Sequence, residues 1–292
     1  MASILEALGK EAVIVLGYDV PPNLQWLDPD KRIKRLDGDI TEADIEKFDA
    51  LIILDTSAWA QLNHMEHVVR GFAGPKLVVD HHVSSDELGA ERFANNEAEA
   101  TGRLVAEAAD HLGIKLTKEM ATALFAAVAT DTGWYRFASV DGSTYQLAAR
   151  LTDDGAVPHE IYGALYENET LARLRLTGRV LARVESDLDD RLVYTWIELT
   201  DFEETGALPT DSEDLINMTL AVGGTEGAVI LVEQPGVKFK VSFRSRCQMD
   251  CAKVAEQFGG GGHKAAAGAM VQGDLETARR RVLDAVRKAM TE

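Results

Sequence analysis

The sequence predicts an α/β protein: a doubly wound, mainly parallel sheet in an N-terminal domain, followed by a smaller α+β C-terminal domain. Three observations carry this. In the first 165 residues, short apolar runs (Ala12–Leu16, Leu51–Leu54, Leu77–Val79) alternate with helical patterns, as βα units do. From about residue 186 the strand-like runs adjoin one another instead, and Gln234-Pro235-Gly236 between two of them is a hairpin signal. The length of 292 residues accommodates two domains.

The elements follow in order. Residues 3–9 read as a helix end with Ile4, Leu5 and Leu8 on one face and Gly9-Lys10 as its stop. Ala12–Leu16 is a buried strand, and Asp19-Val20-Pro21-Pro22-Asn23 is a turn. Thr41 is an N-cap for a helix to about Lys47, with Asp44 in its first turn. The strand Leu51–Leu54 ends in Asp55, and residues 58–71 are helix-like. Leu77-Val78-Val79 runs into Asp80-His81-His82-Val83. Helices are expected over 101–112, 117–130, 143–152 and 158–166, the second ending at Asp131-Thr132-Gly133. A helix over 171–184, rich in Arg and Leu, reads as a connector. Strands at 192–197, 227–233 and 237–243 and helices at 214–221, 251–258 and 275–290 complete the chain.

Composition narrows the function. No run approaches the roughly 18 apolar residues of a membrane span, and Met1-Ala2-Ser3-Ile4-Leu5-Glu6 is not a signal peptide, so a cytoplasmic protein without a membrane partner is expected. Cys247 and Cys251 have no second cysteine pair with which to form a zinc site and read as reduced thiols. A net charge of −18 repels long double-stranded nucleic acid, so an anionic substrate should be small and gripped locally. A homodimer is compatible with the sequence.

Two constellations carry chemistry. Asp55 and Asp80 each close an apolar strand, and ligands of open α/β sheets bind beyond the carboxyl ends of strands. Asp131 closes an apolar helix. Three polar groups at the end of a buried strand, Asp80-His81-His82, are costly unless something uses them. Mixed carboxylates and imidazoles suit manganese, and zinc or iron as well. Taken singly, each Asp is more often a turn or cap residue. The second constellation is Phe258-Gly259-Gly260-Gly261-Gly262-His263, whose backbone N–H groups can cradle a phosphate, with Arg244-Ser245-Arg246 at a strand end suited to phosphate oxygens.

Val79-Asp80-His81-His82 with Asp55 and Asp131-Thr132-Gly133 resembles the DHH phosphoesterase superfamily. Arg244-Ser245-Arg246, Asp250 and Gly259-Gly260-Gly261-Gly262-His263 with Ala265-Ala266-Ala267-Gly268 resemble its associated C-terminal domain, most closely in the oligoribonuclease and pAp phosphatase (NrnA-type) branch. The resemblance implies that Asp55, His81 and Asp131 are manganese ligands, and that the catalytic residues are Asp80, supporting the site, and His82, facing the phosphate. It implies that Arg244, Ser245, Arg246, Gly260, Gly261, Gly262 and His263 bind substrate. It also implies a phosphoesterase domain over 1–165, a connector over 166–185 and a nucleotide-binding domain over 186–292, with catalysis in the cleft between the two domains. The implied activity is manganese-dependent hydrolysis of short oligoribonucleotides from the 3′ end, of the 3′-phosphate of pAp, or of both. Cyclic-dinucleotide or polyphosphate hydrolysis and a catalytically impaired nucleotide-binding protein are the alternatives.

One departure stands out. The family's opening His and Asp-x-Asp motif has no counterpart, because the chain starts within what resembles the following helix. Asp37-Gly38-Asp39 and Asp28-Pro29-Asp30 mimic the motif but lie too close to Asp55 and lack the partner His. Of the two manganese ions in a complete site, at most one is expected to find its full ligand set here, and slow turnover is expected with it.

Overall fold

The computed structural model describes residues 1–82 and 85–291, so Val83, which closes the expected central stretch, and Glu292 lie outside the described residues. The chain divides into two compact units, residues 1–168 and 169–292.

The first unit contains strands β1 (Ile14–Leu16), β2 (Ile33–Arg35), β3 (Leu51–Leu54), β4 (Lys76–Asp80) and β5 (Glu91–Ala94). Its helices are α1 (Ala2–Ala7), α2 (Glu42–Ile45), α3 (Trp59–Leu62), α4 (Glu66–Gly71), α5 (Thr101–His111), α6 (Lys118–Asp131), α7 (Gly142–Asp153) and α8 (Pro158–Tyr166). Every strand pairing among them is parallel: β1 with β2, and β3-β4-β5 in that order. The middle strand β4 explains why its sequence is an unbroken apolar run. Val78 packs with Ile53, Val69 of α4 and Leu88, while its neighbour Val79 points the other way, onto Ala98 and Leu104 of α5. Successive side chains of a strand alternate faces, so covering both faces demands apolar residues at both parities. Beyond α5 lies a larger core, built from Ile4 of α1, Val105 and Ala109 of α5, Phe125 and Val128 of α6, Leu151 of α7 and Ile161 of α8.

Local chemistry sets the element ends. Thr41 accepts from the Asp44 backbone, and the Asp44 carboxylate accepts from the Thr41 backbone, so the expected cap is a complete capping box. The helix-like stretch at 58–71 breaks in two, because Asn63 takes a left-handed φ of 47° that an α-helix does not contain.

In the second unit, α9 (Leu171–Ala182), β6 (Glu185–Asp187), β7 (Leu192–Ile197), α10 (Leu199–Thr205), α11 (Leu215–Thr219), β8 (Gly227–Gln234), β9 (Lys238–Ser245), α12 (Cys251–Glu256), β10 (Gly261–Gly262), β11 (Ala266–Gln272) and α13 (Leu275–Thr291) follow in order. The six strands form one sheet in the order β10-β11-β9-β8-β7-β6, with β7–β8 its parallel pair. Central β8 again serves two faces. Val229 and Leu231 meet Val254 of α12 and Val282 and Val286 of α13, whereas Ala228, Ile230 and Val232 meet Leu176 and Val180 of α9 and Leu215 of α11. No helix among the described residues is long and apolar enough to cross a membrane.

Candidate functional site

The parallel register assembles the first site. Leu54 pairs with Val79, so the next residues, Asp55 and Asp80, emerge side by side at the carboxyl edge of the sheet, and the Asp55 amide donates to the Val79 carbonyl at 3.0 Å. Asp131, the last residue of α6, reaches the same edge. Its Oδ2 lies 3.0 Å from His81 Nε2, and Asp55 Oδ1 lies 3.7 Å from the same nitrogen. The structure therefore brings Asp55, His81 and Asp131 together around one atom. His82 adjoins them: its ring centroid is 4.7 Å from that of His81, and ligand atoms of Asp55, His81 and His82 all lie within 4.8 Å of one another.

The proton assignment of His81 gives this arrangement its meaning. Nδ1 lies 3.0 Å from the Ala98 carbonyl, an acceptor only, so Nδ1 carries the hydrogen. In the neutral ring, Nε2 then presents a lone pair. Among the described residues that atom is buried without a hydrogen-bond partner, and it faces two carboxylates. A lone pair confronting anions is repulsive unless a proton or a metal cation lies between them. Ligand bonds of about 2.1 Å would place two donors roughly 3.0 Å apart at 90° and about 3.6 Å apart at 120°. The observed 3.0 and 3.7 Å separations match these values. Both carboxylates thus stand at ligand-like distances from His81 Nε2, while the set whose ligand atoms all lie within 4.8 Å of one another is Asp55, His81 and His82, and a His that donates its other nitrogen to a backbone carbonyl is the usual support of a metal ligand.

Strain and charge concentrate here. Asp55 has a left-handed φ of 59°, a conformation costly outside glycine and concentrated at functional sites. Burial, and with it the Asp55 charge, hold the Asp131 carboxyl above its usual range. Asp80 is fully buried. Its Oδ1 accepts from the His81 amide at 2.8 Å and from His82 Nδ1 at 2.7 Å, and its Oδ2 accepts from the Ser57 hydroxyl. Burial would raise the Asp80 carboxyl, but the Ser57 and His82 hydrogen bonds more than offset it and hold the group low. The Asp80 hydrogen bond, working against burial, in turn keeps the His82 imidazole above its usual range. An open cavity of about 810 Å³ in the first unit counts Asp55, Thr101, Thr130 and Asp131 among its lining residues.

The second constellation also converges. The Ser245 amide donates to Ala265 at 2.9 Å, Arg244 lies opposite Ala266 in the β9–β11 ladder, and the His263 amide donates to Ala266 at 2.8 Å. The glycine turn thus sits beside the end of β9. Its glycines differ in purpose. A Cβ on Gly260 would lie 2.2 Å from the Gly268 oxygen, and one on Gly262 would lie 2.6 Å from Ala267 Cα, so β11 packs where those side chains would be. Gly259 and Gly261 have nothing within 4 Å, and of the two Gly261 has no positive φ to demand glycine, so its open space can serve a ligand. The arginines differ too. Arg246 donates to the Leu220 carbonyl at 2.9 Å, capping α11, whereas among the described residues Arg244 donates to the neighbouring Phe243 carbonyl at 3.1 Å. Asp250 serves as the N-cap of α12.

Three residues of the first site were not anticipated. Ser57 holds Asp80, Ala98 holds His81, and Thr101 donates its hydroxyl to Asp55 Oδ1 at 2.8 Å. Ser57 carried a signal, as a hydroxyl two residues beyond a strand-ending Asp. A backbone carbonyl and a threonine that reads as a helix start carried none.

Residues 190–292 match the DHHA1 domain family. The chain is 32% identical over 293 positions to the bifunctional oligoribonuclease and PAP phosphatase NrnA of Thermus thermophilus, covering 98% of this chain and 83% of that protein. It is 25% identical over 239 positions to the protein of that name from Bacillus subtilis, covering 80% and 74%. The crystal structure of an exopolyphosphatase-related protein from Bacteroides fragilis has the same fold, with a TM-score of 0.82 at 24% identity over 98% of this chain and 85% of the other.

Proposed function

Since the chain belongs to the DHH phosphoesterase superfamily, in its NrnA-type branch, and is a hydrolase, we propose that it is a manganese-dependent phosphoesterase acting on short oligoribonucleotides from the 3′ end and on the 3′-phosphate of pAp. The observation that carries the metal is the buried His81 Nε2, a lone pair set between Asp55 and Asp131. Asp55, His81 and Asp131 would hold one ion. When bound, it supplies Lewis-acid polarisation of the phosphoryl oxygen and eases attack by water.

The remaining work falls to the chain. Asp80 fixes the His82 ring through Nδ1, leaving Nε2 to meet the phosphoryl group or the leaving oxygen. Water adds to phosphorus, the P–O bond to the 3′ oxygen breaks, and that oxygen leaves with a proton as the 3′ hydroxyl. In the second unit, Arg244, Ser245, His263 and the glycine turn would hold the nucleotide, with open space at Gly261 and Arg246 securing the end of β9.

The test is product analysis. The chain is incubated with pAp, a dinucleotide, a cyclic dinucleotide and polyphosphate, with manganese or with EDTA. Manganese-dependent release of AMP from pAp and of mononucleotides from the dinucleotide is expected. Preferential cleavage of the cyclic dinucleotide or polyphosphate would overturn the substrate assignment, and binding without turnover would mark a nucleotide-binding protein.

A further inference from the structure

The stretch Ala98–Gly102, at the start of α5, touches the elements that carry all three candidate ligands. The Ala98 carbonyl holds His81 Nδ1 at 3.0 Å. The Thr101 hydroxyl donates to Asp55 Oδ1 at 2.8 Å. Gly102 lies against α6, which ends in Asp131: a Cβ there would come within 3.0 Å of Ala127 Cβ and 3.3 Å of Val128 Cγ2. The stretch is fastened behind the site by the buried Glu99, paired with Arg103 one turn on.

Thr101 is the informative member. A threonine at the start of a helix ordinarily turns its oxygen to its own backbone amides. The N-cap of α5 is Ala100, with no side-chain cap, and the Thr101 hydroxyl is spent instead on Asp55, 46 residues away in sequence. Thr101 is only 6% exposed. Its target is a carboxylate on a left-handed, strained residue with a half-exposed side chain, free to rotate away without that bond.

We propose that Thr101 is a positioning residue of the metal centre. By donating to Asp55 Oδ1 it fixes the carboxylate rotamer, directing the other lone pairs toward the ion shared with His81 and Asp131. This rests on the metal reading above. Such supporting partners typically contribute about 10- to 100-fold to metal affinity.

The experiment is manganese titration of the intact chain, reading free Mn²⁺ by its solution EPR signal, with no substrate present. Wild type is compared with T101V (isosteric, no hydroxyl), T101A, T101S (hydroxyl retained) and D55N, each also melted without metal. The expected result is manganese binding by wild type, loss in D55N, at least about 10-fold weakening in T101V and T101A, and recovery in T101S to within about twofold of wild type, with metal-free melting of T101A or T101V near that of wild type. Recovery by the hydroxyl alone is what a merely structural threonine would not produce. Wild-type affinity in both T101V and T101A, with binding lost in D55N, overturns the positioning role and leaves the metal reading intact. Wild-type affinity in D55N overturns both.

Discussion

Alanine substitution along the four-glycine run separates the glycines that the backbone requires from Gly261, which has open space and no positive φ. At Gly260 an added Cβ would lie 2.2 Å from the Gly268 oxygen and 2.6 Å from Ala269 Cβ. Carbon–oxygen contacts settle near about 3.3 Å, so β11 would have to recede by roughly 1 Å, and backbone gives way less easily than a flexible side chain. Overpacking of this kind costs about 1–3 kcal/mol, with Gly260 at the upper end. Gly262 adds a φ of 145° to a 2.6 Å approach to Ala267 Cα, so about 3 kcal/mol is expected there too. Gly259, with φ 73° and open space, should lose about 1 kcal/mol from left-handed strain alone. Gly261 has neither clash nor positive φ, so alanine should be neutral or stabilising by up to about 1 kcal/mol through the unfolded chain. Urea denaturation followed by circular dichroism gives the ranking, and pAp titration gives the affinity. G261A should fold like wild type yet bind pAp at least several-fold more weakly. A G260A protein as stable as wild type, or a G261A protein with wild-type affinity, would refute the reasoning.

Other expectations follow from the same geometry. R244A and H263A should weaken pAp binding while leaving manganese affinity unchanged, since neither residue belongs to the first unit; an equal loss of manganese affinity would contradict this division. R246A should chiefly cost stability, roughly 1 kcal/mol for its bond to the Leu220 carbonyl; unchanged urea stability would count against the capping role. Asp201 is buried beside Arg183 and Arg179, and although burial would raise its carboxyl, the Arg183 hydrogen bonds and the Glu198 backbone more than offset this and hold it below the usual range. A depressed native pKa means that its stabilisation is present at neutral pH and lost as pH falls below about 4 and through the native value. D201N should therefore lose roughly 2 kcal/mol at pH 7 and show a smaller acid-induced loss than wild type; parallel pH profiles of the two would disprove it.

The legible parts of the fold were those whose patterns are two-faced or long. The apolar runs before Asp55 and Asp80 mark both strands and their polar ends; in β4, covered on both faces, no polar residue has room until the strand stops, while the partly exposed β3 keeps the same apolar run. Helices α5 to α8 and α13 were found within a few residues at each end. What escaped was short or compositionally quiet. Strand β2 has three residues, and β5 is exposed along its whole length, so neither carries a burial pattern. Strand β11 opens Ala-Ala-Gly-Ala, poor strand formers held in place by pairing with β9. The glycine run reads as a cradle of backbone N–H groups, but the sequence does not reveal that β11 packs against Gly260 and Gly262. The sequence does not reveal which of two neighbouring guanidiniums, Arg244 or Arg246, a backbone carbonyl will engage. Thr101 was hidden because its partner is brought to it by tertiary packing alone.

The central claim is that Asp55, His81 and Asp131 share a divalent metal ion. Anomalous scattering at the manganese edge, from crystals of the protein grown with Mn²⁺, tests it most directly. The account predicts a peak at about 2.0–2.3 Å from His81 Nε2 and from a carboxylate oxygen of both Asp55 and Asp131. Manganese bound elsewhere with this cluster empty, or a His81 ring turned so that Nε2 rather than Nδ1 meets the Ala98 carbonyl, would contradict it.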